Sequence, residues 1–303
     1  MSAELIARYT ELTAKGADQL RAGEFKSAIV TFEETRRIAQ ELQDQTLDFR
    51  AICNVSTAKL SLGEVQEAEQ GLREILLKCS DSQVVFLASL NLSSALRRQG
   101  RLEKALLYGK RALRVVEKID NYVWKTCCHH HIGNIYMNMT YLDDATAEYR
   151  FALAIGEKGG LGTSYPIDYV KESLGYCLLL KKQHRQGIAM ILEALQISLT
   201  NGNTRCVVEC YQDLSFAYMQ LKQLKLGQDY GEKALNIATE QGYKDILKNC
   251  TYLLGEIHLL LGNEEKSDWY FDRLQEFYPN VGMVKHFLRT FDVSSIINLK
   301  SPL

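Results

Sequence analysis

The sequence has 303 residues, of which 46% are apolar and 24% charged, so it can bury a large core and disorder is excluded as its main state. Only 3 prolines occur beside abundant leucine, alanine and glutamate, which disfavours turn-rich sandwiches and barrels and favours an all-helical chain. Because 36 lysines and arginines nearly balance 37 aspartates and glutamates, no basic field is present to bind nucleic acid or an anionic membrane surface.

The first residues and the cysteines together indicate a reducing compartment. Met1–Arg8 has no basic stretch followed by an apolar one, so no secretory signal is predicted. Apolar runs such as Tyr176–Leu180 are far shorter than the roughly 20 residues that span a bilayer. The 8 cysteines contain no CxxC pair, and several fall at apolar helix positions. We therefore expect a cytoplasmic protein without disulfides.

One recurring pattern predicts helix pairs along most of the chain: two small residues, each Gly, Ala or Ser, that stand 12 positions apart. The pattern occurs 7 times, and its second members follow one another at intervals of 40, 37, 40, 42, 40 and 40 residues. We expect each pair to mark the point where two helices cross, because small side chains let backbones approach closely. The pairs are Gly16 and Ala28, Ser56 and Ala68, Ser93 and Ala105, Gly133 and Ala145, Gly175 and Gly187, Ser215 and Gly227, and Gly255 and Ser267.

A short polar turn separates the two small residues of each unit. In four units this turn contains a glycine, at Gly23, Gly63, Gly100 and Gly262. Glycine at this place supplies the left-handed conformation that ends a helix. Each unit is therefore predicted to be a helix, a tight turn and a second helix.

These units resemble the tetratricopeptide repeat family over roughly residues 9 to 279. The phrases that carry the resemblance are Glu103–Ala105 (EKA), Ile132–Tyr136 (IGNIY), Leu174–Tyr176 (LGY) and Glu232–Leu235 (EKAL). The period near 40 residues exceeds the roughly 34 of the standard repeat, the usual tryptophan of the first helix is absent, and glycine replaces alanine at 187 and 227. The longer period is similar to that of Rap- and PlcR-type peptide sensors, spindle-orientation adaptors and kinesin light chains.

The resemblance implies an all-α, right-handed superhelix of about seven helix-turn-helix repeats. We assign residues 1–280 to this solenoid and residues 281–303 to a capping helix and a C-terminal tail. Beyond Pro279, apolar residues recur at helical spacing. This pattern predicts a capping helix that begins at Met283 and ends at Phe291. In the tail, Ile296, Ile297 and Leu299 are expected to be exposed unless the tail folds back, which makes it the best candidate for a partner or dimer contact.

In the resembling family, the first helix of each pair lines a concave groove, so the resemblance also implies which residues face a ligand. Their positions follow one helix face at the 3.6-residue period. The candidate peptide-groove residues are Arg50, Asn54, Asn91, Arg97, Arg98, His130, Asn134, Asn138, Tyr169, Glu172, Tyr176, Glu209, Gln212, Asp213, Phe216, Tyr252 and Glu256.

Amides, aromatic rings and an uneven charge distribution favour a peptide ligand in this groove, although the polar residues could also be a simple solvated face. Asn and Gln offer a donor and an acceptor, so they can pair with the backbone of an extended peptide. Basic residues lie in the first half and acidic residues in the second. We therefore expect an acidic part of the peptide, or its carboxylate, near Arg97 and Arg98 and a basic part near Glu209, Asp213 and Glu256.

Other chemical signals are weaker. In the run Cys127–His131, only Cys127 and His130 or His131 share a helix face, whereas a structural zinc site needs four ligands. The run Gly159–Gly162 lacks the strand and the Lys-Ser/Thr of a phosphate-binding loop. No catalytic signature is present, so we predict no enzymatic activity, no metal and no cofactor.

The sequence thus predicts a cytoplasmic protein-interaction module that binds an extended peptide or partner segment in its groove, with neither nucleic acid nor membrane as a partner. Two alternatives remain open. One is a constitutive scaffold that uses its convex face or its tail, including self-association through the cap or tail. The other is the sensor part of a peptide-responsive signalling system whose output domain is a separate chain.

Overall fold

A computed structural model describes residues 2–21, 23–62, 64–278, 280–290 and 298–300, and for residues 21 and 281 it describes the backbone alone. In these ranges every regular element is helical, which confirms the predicted all-α fold class. None of the helices described is long and apolar enough to cross a membrane.

Within the described residues, seven helix pairs follow one another in the sequence, as the spacing of the small residues predicts. Each predicted pair of small residues places one member in the first helix and one in the second. The pairs are α1 Ser2–Arg21 and α2 Phe25–Glu41, α3 Gln45–Leu62 and α4 Val65–Lys78, α5 Ser82–Arg98 and α6 Leu102–Val116, α7 Tyr122–Asn138 and α8 Leu142–Lys158, α9 Ile167–Leu180 and α10 His184–Asn201, α11 Thr204–Gln220 and α12 Leu224–Gln241, and α13 Lys244–Leu260 and α14 Glu264–Arg273.

The tight turns within the pairs use a left-handed residue. Gly23, Gly100 and Gly262 have φ of 77°, 70° and 74°, which confirms the predicted role of these glycines. Gly63 lies outside the described residues. Two of the pairs that lack a turn glycine place Lys182 and Lys222 there, at φ of 61° and 58°, so the turn geometry does not depend on glycine alone.

Small residues bring the paired helices together in two ways. Where α9 crosses α10, a Cβ atom on Gly175 would lie 2.9 Å from the carbonyl oxygen of Gly187, so only glycine fits this crossing. Where α5 crosses α6, the Ser93 hydroxyl donates a hydrogen bond of 2.5 Å to the carbonyl of Ala105. Serine is thus a small residue that also satisfies a backbone acceptor across the crossing.

The helices form two compact units that divide between Met139 and Thr140, in the turn between α7 and α8. Within the first unit, α5 contacts both α3 and α7, and within the second unit α11 contacts both α9 and α13. From α3 to α7 and from α9 to α13, the first helices of successive pairs therefore lie side by side, as expected for a tetratricopeptide arrangement. The predicted domain boundary at residue 280 stays a prediction.

A further helix, α15 (Val281–Thr290), packs on α14 after a 3₁₀ turn at Leu274–Glu276. Lys285 lies 3.2 Å from Asp268 and 2.9 Å from Asp272, and Arg289 lies 2.6 Å from Asp268. Leu288 is buried, which is consistent with the predicted capping helix. Pro279 and Phe291, which the sequence places at its two ends, lie outside the described residues.

Candidate functional site

The candidate residues of the first unit lie on α3, α5 and α7, and hydrogen bonds hold several of them. Arg50 and Arg98 are exposed and Asn138 is buried, while the other members are partly exposed. Arg97 Nη1 donates to Asn138 Oδ1 at 3.0 Å, and Arg98 Nη1 donates to the carbonyl of Leu60 at 2.8 Å. The remaining members are Asn54, Asn91, His130 and Asn134; Asn91 donates to Thr57, and Asn134 bonds to His130.

His131, beside these residues, is held in its neutral form. Its Nε2 lies 2.9 Å from Ser93 Oγ, and the Ser93 hydroxyl already donates to the carbonyl of Ala105. The Nε2–H of His131 is therefore the donor, which fixes the tautomer. Desolvation of the imidazole lowers the pKa of His131 to about 3, and the positive charge of Arg97 contributes in the same direction.

The candidate residues of the second unit lie on α9, α11 and α13, and most of them are buried. The sequence led us to expect these side chains on an open surface, and for seven of them this expectation is wrong. Glu172 is 1% exposed and Asp213 is fully buried. The other buried members are Tyr176, Gln212, Phe216, Tyr252 and Glu256, whereas Tyr169 and Glu209 are partly exposed.

One physical reason for this burial is a segment of the chain itself, residues 298–300, which lies against the three helices. The backbone N–H of Leu299 donates to Tyr176 Oη at 2.8 Å, and Asn249 Nδ2 donates to the carbonyl of Leu299 at 3.1 Å. Leu299 is only 7% exposed. The sequence left open whether the tail stays exposed or folds back; at Leu299 it folds back, while Ile296 and Ile297 lie outside the described residues.

The ammonium group of Lys300 lies between two buried carboxylates. It forms ion pairs with Glu172 and, at 3.1 Å, with Asp213 Oδ2, and it lies 4.9 Å from the centroid of the Tyr176 ring. Each carboxylate has a second partner: the Ser173 hydroxyl donates to Glu172 Oε2 at 2.9 Å, and Gln212 Nε2 donates to Asp213 Oδ1 at 3.3 Å. Burial raises the pKa of the Asp213 carboxyl well above its ordinary value. The site therefore combines a desolvated acidic pair with an aromatic face, and both attract a cation.

At the edge of this site, the acidic Glu209 already has an internal partner. Arg205 Nε donates to Glu209 Oε1 at 2.8 Å, and the same guanidinium forms an ion pair with Asp245. Tyr169 Oη donates to Asn203 Oδ1 at 3.1 Å, and burial raises the pKa of Tyr169. The acidic groups that hold the cation are therefore Glu172 and Asp213.

The candidate groove residues named on the sequence do not include Leu299, which was expected only as a tail contact, or Lys300. The inward pattern that gives Gln212 on α11 also gives Asn249 on α13. In the tail, the sequence signal was the charge of Lys300. This cation follows the apolar residues Ile296, Ile297 and Leu299, and the candidate groove is acidic at one end.

The cysteine and histidine run on α7 stays without a metal assignment. Among the residues that the structure describes, no group of three or more His, Cys, Asp or Glu side chains is placed to hold a metal ion.

The eight cysteines are free thiols, and burial raises the pKa of Cys53 to about 12. The thiol of Cys53 is therefore protonated at neutral pH.

Comparison with solved structures places this architecture among known folds. The chain is similar to a Rap protein in complex with Competence and Sporulation Factor, with a TM-score of 0.70 and 16% identity over 95% of this chain and 78% of that one. It is also similar to the apo form of RapI, with a TM-score of 0.66 and 14% identity over 93% and 99% of the two chains. The chain has the tetratricopeptide-repeat fold.

A third similar structure with this tetratricopeptide-repeat fold is a protein from Parabacteroides merdae ATCC 43184, with a TM-score of 0.60 and 16% identity over 96% of this chain and all of that one. No protein-family model matches the chain, and no curated protein matches its sequence. The likeness therefore concerns the tetratricopeptide-repeat fold, including its Rap-type form, and the chemistry of the site has to be argued from the residues of this chain.

Proposed function

We propose that this chain is a non-enzymatic, cytoplasmic protein-interaction module that binds a short peptide segment of a partner against α9, α11 and α13. The observation that carries the proposal is the way these helices hold Leu299, through Tyr176 Oη on its N–H and Asn249 Nδ2 on its carbonyl. Both contacts are made to backbone atoms that every non-proline residue offers. The same two side chains can therefore hold a segment of another chain.

The comparison with solved structures supports this proposal. The similar Rap protein was solved in complex with Competence and Sporulation Factor, so a solenoid of this fold accommodates a bound partner. The geometry of the site favours binding over chemistry, because its buried carboxylates are engaged by a cation and by hydrogen-bond donors.

Charge determines which part of a partner each unit attracts. In the second unit, the buried acidic pair favours a basic side chain. In the first unit, Arg97 and Arg98 favour an acidic side chain or a carboxylate. Charge reversal by Arg97→Glu is expected to abolish binding of acidic peptides to the first unit.

The test of this proposal is a display selection of random decapeptides on the immobilised full chain, followed by calorimetry with the enriched peptides. Asn249→Ala is made in a Lys300→Glu chain, so that residues 298–300 do not compete for the same donor. It removes a donor to the peptide backbone and is expected to weaken binding about tenfold, since a buried hydrogen bond contributes roughly 1 kcal/mol and its unsatisfied partner costs more. The matched control in the same Lys300→Glu chain is Asn236→Ala, which removes an exposed asparagine on α12. Thermal melting of both variants checks that they remain folded.

Two results would contradict the proposal: no peptide is enriched, or the enriched peptides bind Asn249→Ala and Asn236→Ala equally well. The second result would favour the alternative of a scaffold that binds through the second helices.

A specific observation supports that alternative, because large apolar side chains are exposed on several second helices. These are Val30 on α2, Leu77 on α4, Leu107 on α6, Phe151 on α8 and Trp269 on α14.

A further inference from the structure

We propose that residues 298–300 are an internal ligand of the site on α9, α11 and α13, and that they compete with a partner peptide of the same pattern: a turn-forming polar residue, an apolar residue and a basic residue. This inference rests on the proposed function and deepens it, because it assigns both the chemical class of the partner segment and the regulation of its binding.

The turn at Asn298 is the first element of the recognised pattern. Asn298 Oδ1 accepts a hydrogen bond of 3.0 Å from the backbone N–H of Lys300, which is an Asx turn. The turn presents both backbone groups of Leu299 to Tyr176 and Asn249 and directs the Lys300 side chain to the carboxylates. Asn, Asp or Ser at this position of a partner would form the same turn.

The basic side chain is the element that the site selects most strongly. Glu172 and Asp213 are both buried, and without a cation beside them the desolvated site disfavours the charged form of both carboxyl groups. Removing one partner of a buried ion pair is strongly destabilising because the remaining charge is left uncompensated. A partner that displaces Lys300 restores this ion pairing only if it brings its own lysine or arginine.

Covalent attachment gives the internal segment an advantage over a partner. It follows α15 in the same chain, separated from Thr290 by residues 291–297. A ligand on a short linker acts at an effective concentration on the order of millimolar. A partner peptide therefore displaces the internal segment only when its concentration, weighted by its affinity for the site, exceeds that of the segment. The internal segment thus sets a threshold for partner binding and excludes peptides that lack the basic residue.

The experiment uses a fluorescein-labelled decapeptide with the sequence of residues 294–303, SSIINLKSPL, and measures its binding to the full chain by fluorescence anisotropy. Lys300→Glu in the chain should expel the internal segment, and the labelled peptide is expected to bind this variant at least tenfold more tightly than the wild type. The matched control, Lys225→Glu, reverses the charge of an exposed lysine on α12 and should bind like the wild type.

Two further arms separate the parts of the inference. The same peptide carrying Lys300→Glu should bind none of the chains, and Asp213→Asn added to the Lys300→Glu chain should weaken binding of the unmodified peptide at least tenfold. Asn298→Ala in the chain opens the turn without changing charge, so it tests competition even if Lys300→Glu impairs folding. It should tighten peptide binding severalfold.

Each contrary result overturns a defined part of the inference. Equal affinity of the peptide for the wild type, Lys300→Glu and Asn298→Ala chains would overturn competition by the internal segment. Equal binding of the two peptides would overturn selection of a basic residue. If the peptide fails to bind the folded Lys300→Glu chain while display-selected peptides bind and depend on Asn249, this inference fails and the proposed function stands.

Discussion

At the scale of single residues, the neutral His131 makes stability depend on pH. In the folded chain its pKa is about 3, below the ordinary value of 6.5 that applies when the chain is unfolded. Between these values the unfolded state binds a proton that the folded state does not, so this contribution to stability is lost as the pH falls below 6.5. From pH 7.5 to pH 5.5, we expect His131 to lower the free energy of unfolding by about 1.4 kcal/mol.

Urea unfolding followed by circular dichroism at the two pH values measures this loss. His131→Gln keeps a donor for Ser93 but cannot titrate, so its loss of stability should be smaller than that of the wild type by about 1.4 kcal/mol. His286→Gln, which changes an exposed histidine on α15, serves as the control. The interpretation is wrong if the wild type and His131→Gln show the same pH dependence.

At the scale of helices, the crossing of α9 and α10 depends on glycine at both contact positions. A Cβ atom on Gly187 would lie 2.8 Å from the carbonyl oxygen of Gly175 and 2.7 Å from Leu179 Cδ2. Because one of these neighbours is backbone, the helices must move apart to admit a methyl group. Gly187→Ala is therefore expected to lower the free energy of unfolding by about 1–3 kcal/mol, measured by urea denaturation.

The control for the crossing is Gly282→Ala on α15, where an added Cβ would meet no atom within 4 Å. Alanine favours a helix over glycine by roughly 1 kcal/mol, so this variant should be as stable as the wild type or more stable. If Gly187→Ala and Gly282→Ala changed stability alike, close approach of the helices would not be the reason for glycine at 187.

The same crossings explain how much of the fold could be predicted from the sequence. A close approach needs a small residue on each helix, and a tight turn fixes the number of residues between them. Pairs of small residues such as Gly175 and Gly187 therefore recur along the chain with a separation of 12 positions. The contact between Leu299 and Tyr176 joins residues 123 positions apart and has no periodic counterpart. Sequence periodicity therefore predicts the helix pairs, but not the segment that covers the first helices of three of them.

At the scale of the whole molecule, residues 298–300 add a long-range constraint to a fold built from local contacts. The principal packing contacts of the described helices join elements that are adjacent or next but one in the sequence. In such arrays each repeat is stabilised mainly by its neighbours, and local unfolding begins at the least stable repeat. The contacts to Tyr176, Asp213 and Asn249 tie the first helices of three successive pairs to one segment.

Hydrogen exchange measured by mass spectrometry tests this constraint without any ligand. Lys300→Glu leaves Glu172 and Asp213 without their cation, so peptides from α9, α11 and α13 should exchange at least tenfold faster than in the wild type. Peptides from α3 and α5 should keep their wild-type rates, and Lys225→Glu should change neither group. Unchanged exchange in α9 and α11 would show that the segment covers these helices without stabilising them, whereas uniformly faster exchange would indicate general destabilisation. The expected result, faster exchange confined to the helices of the site, would show that what binds there controls the stability of those helices.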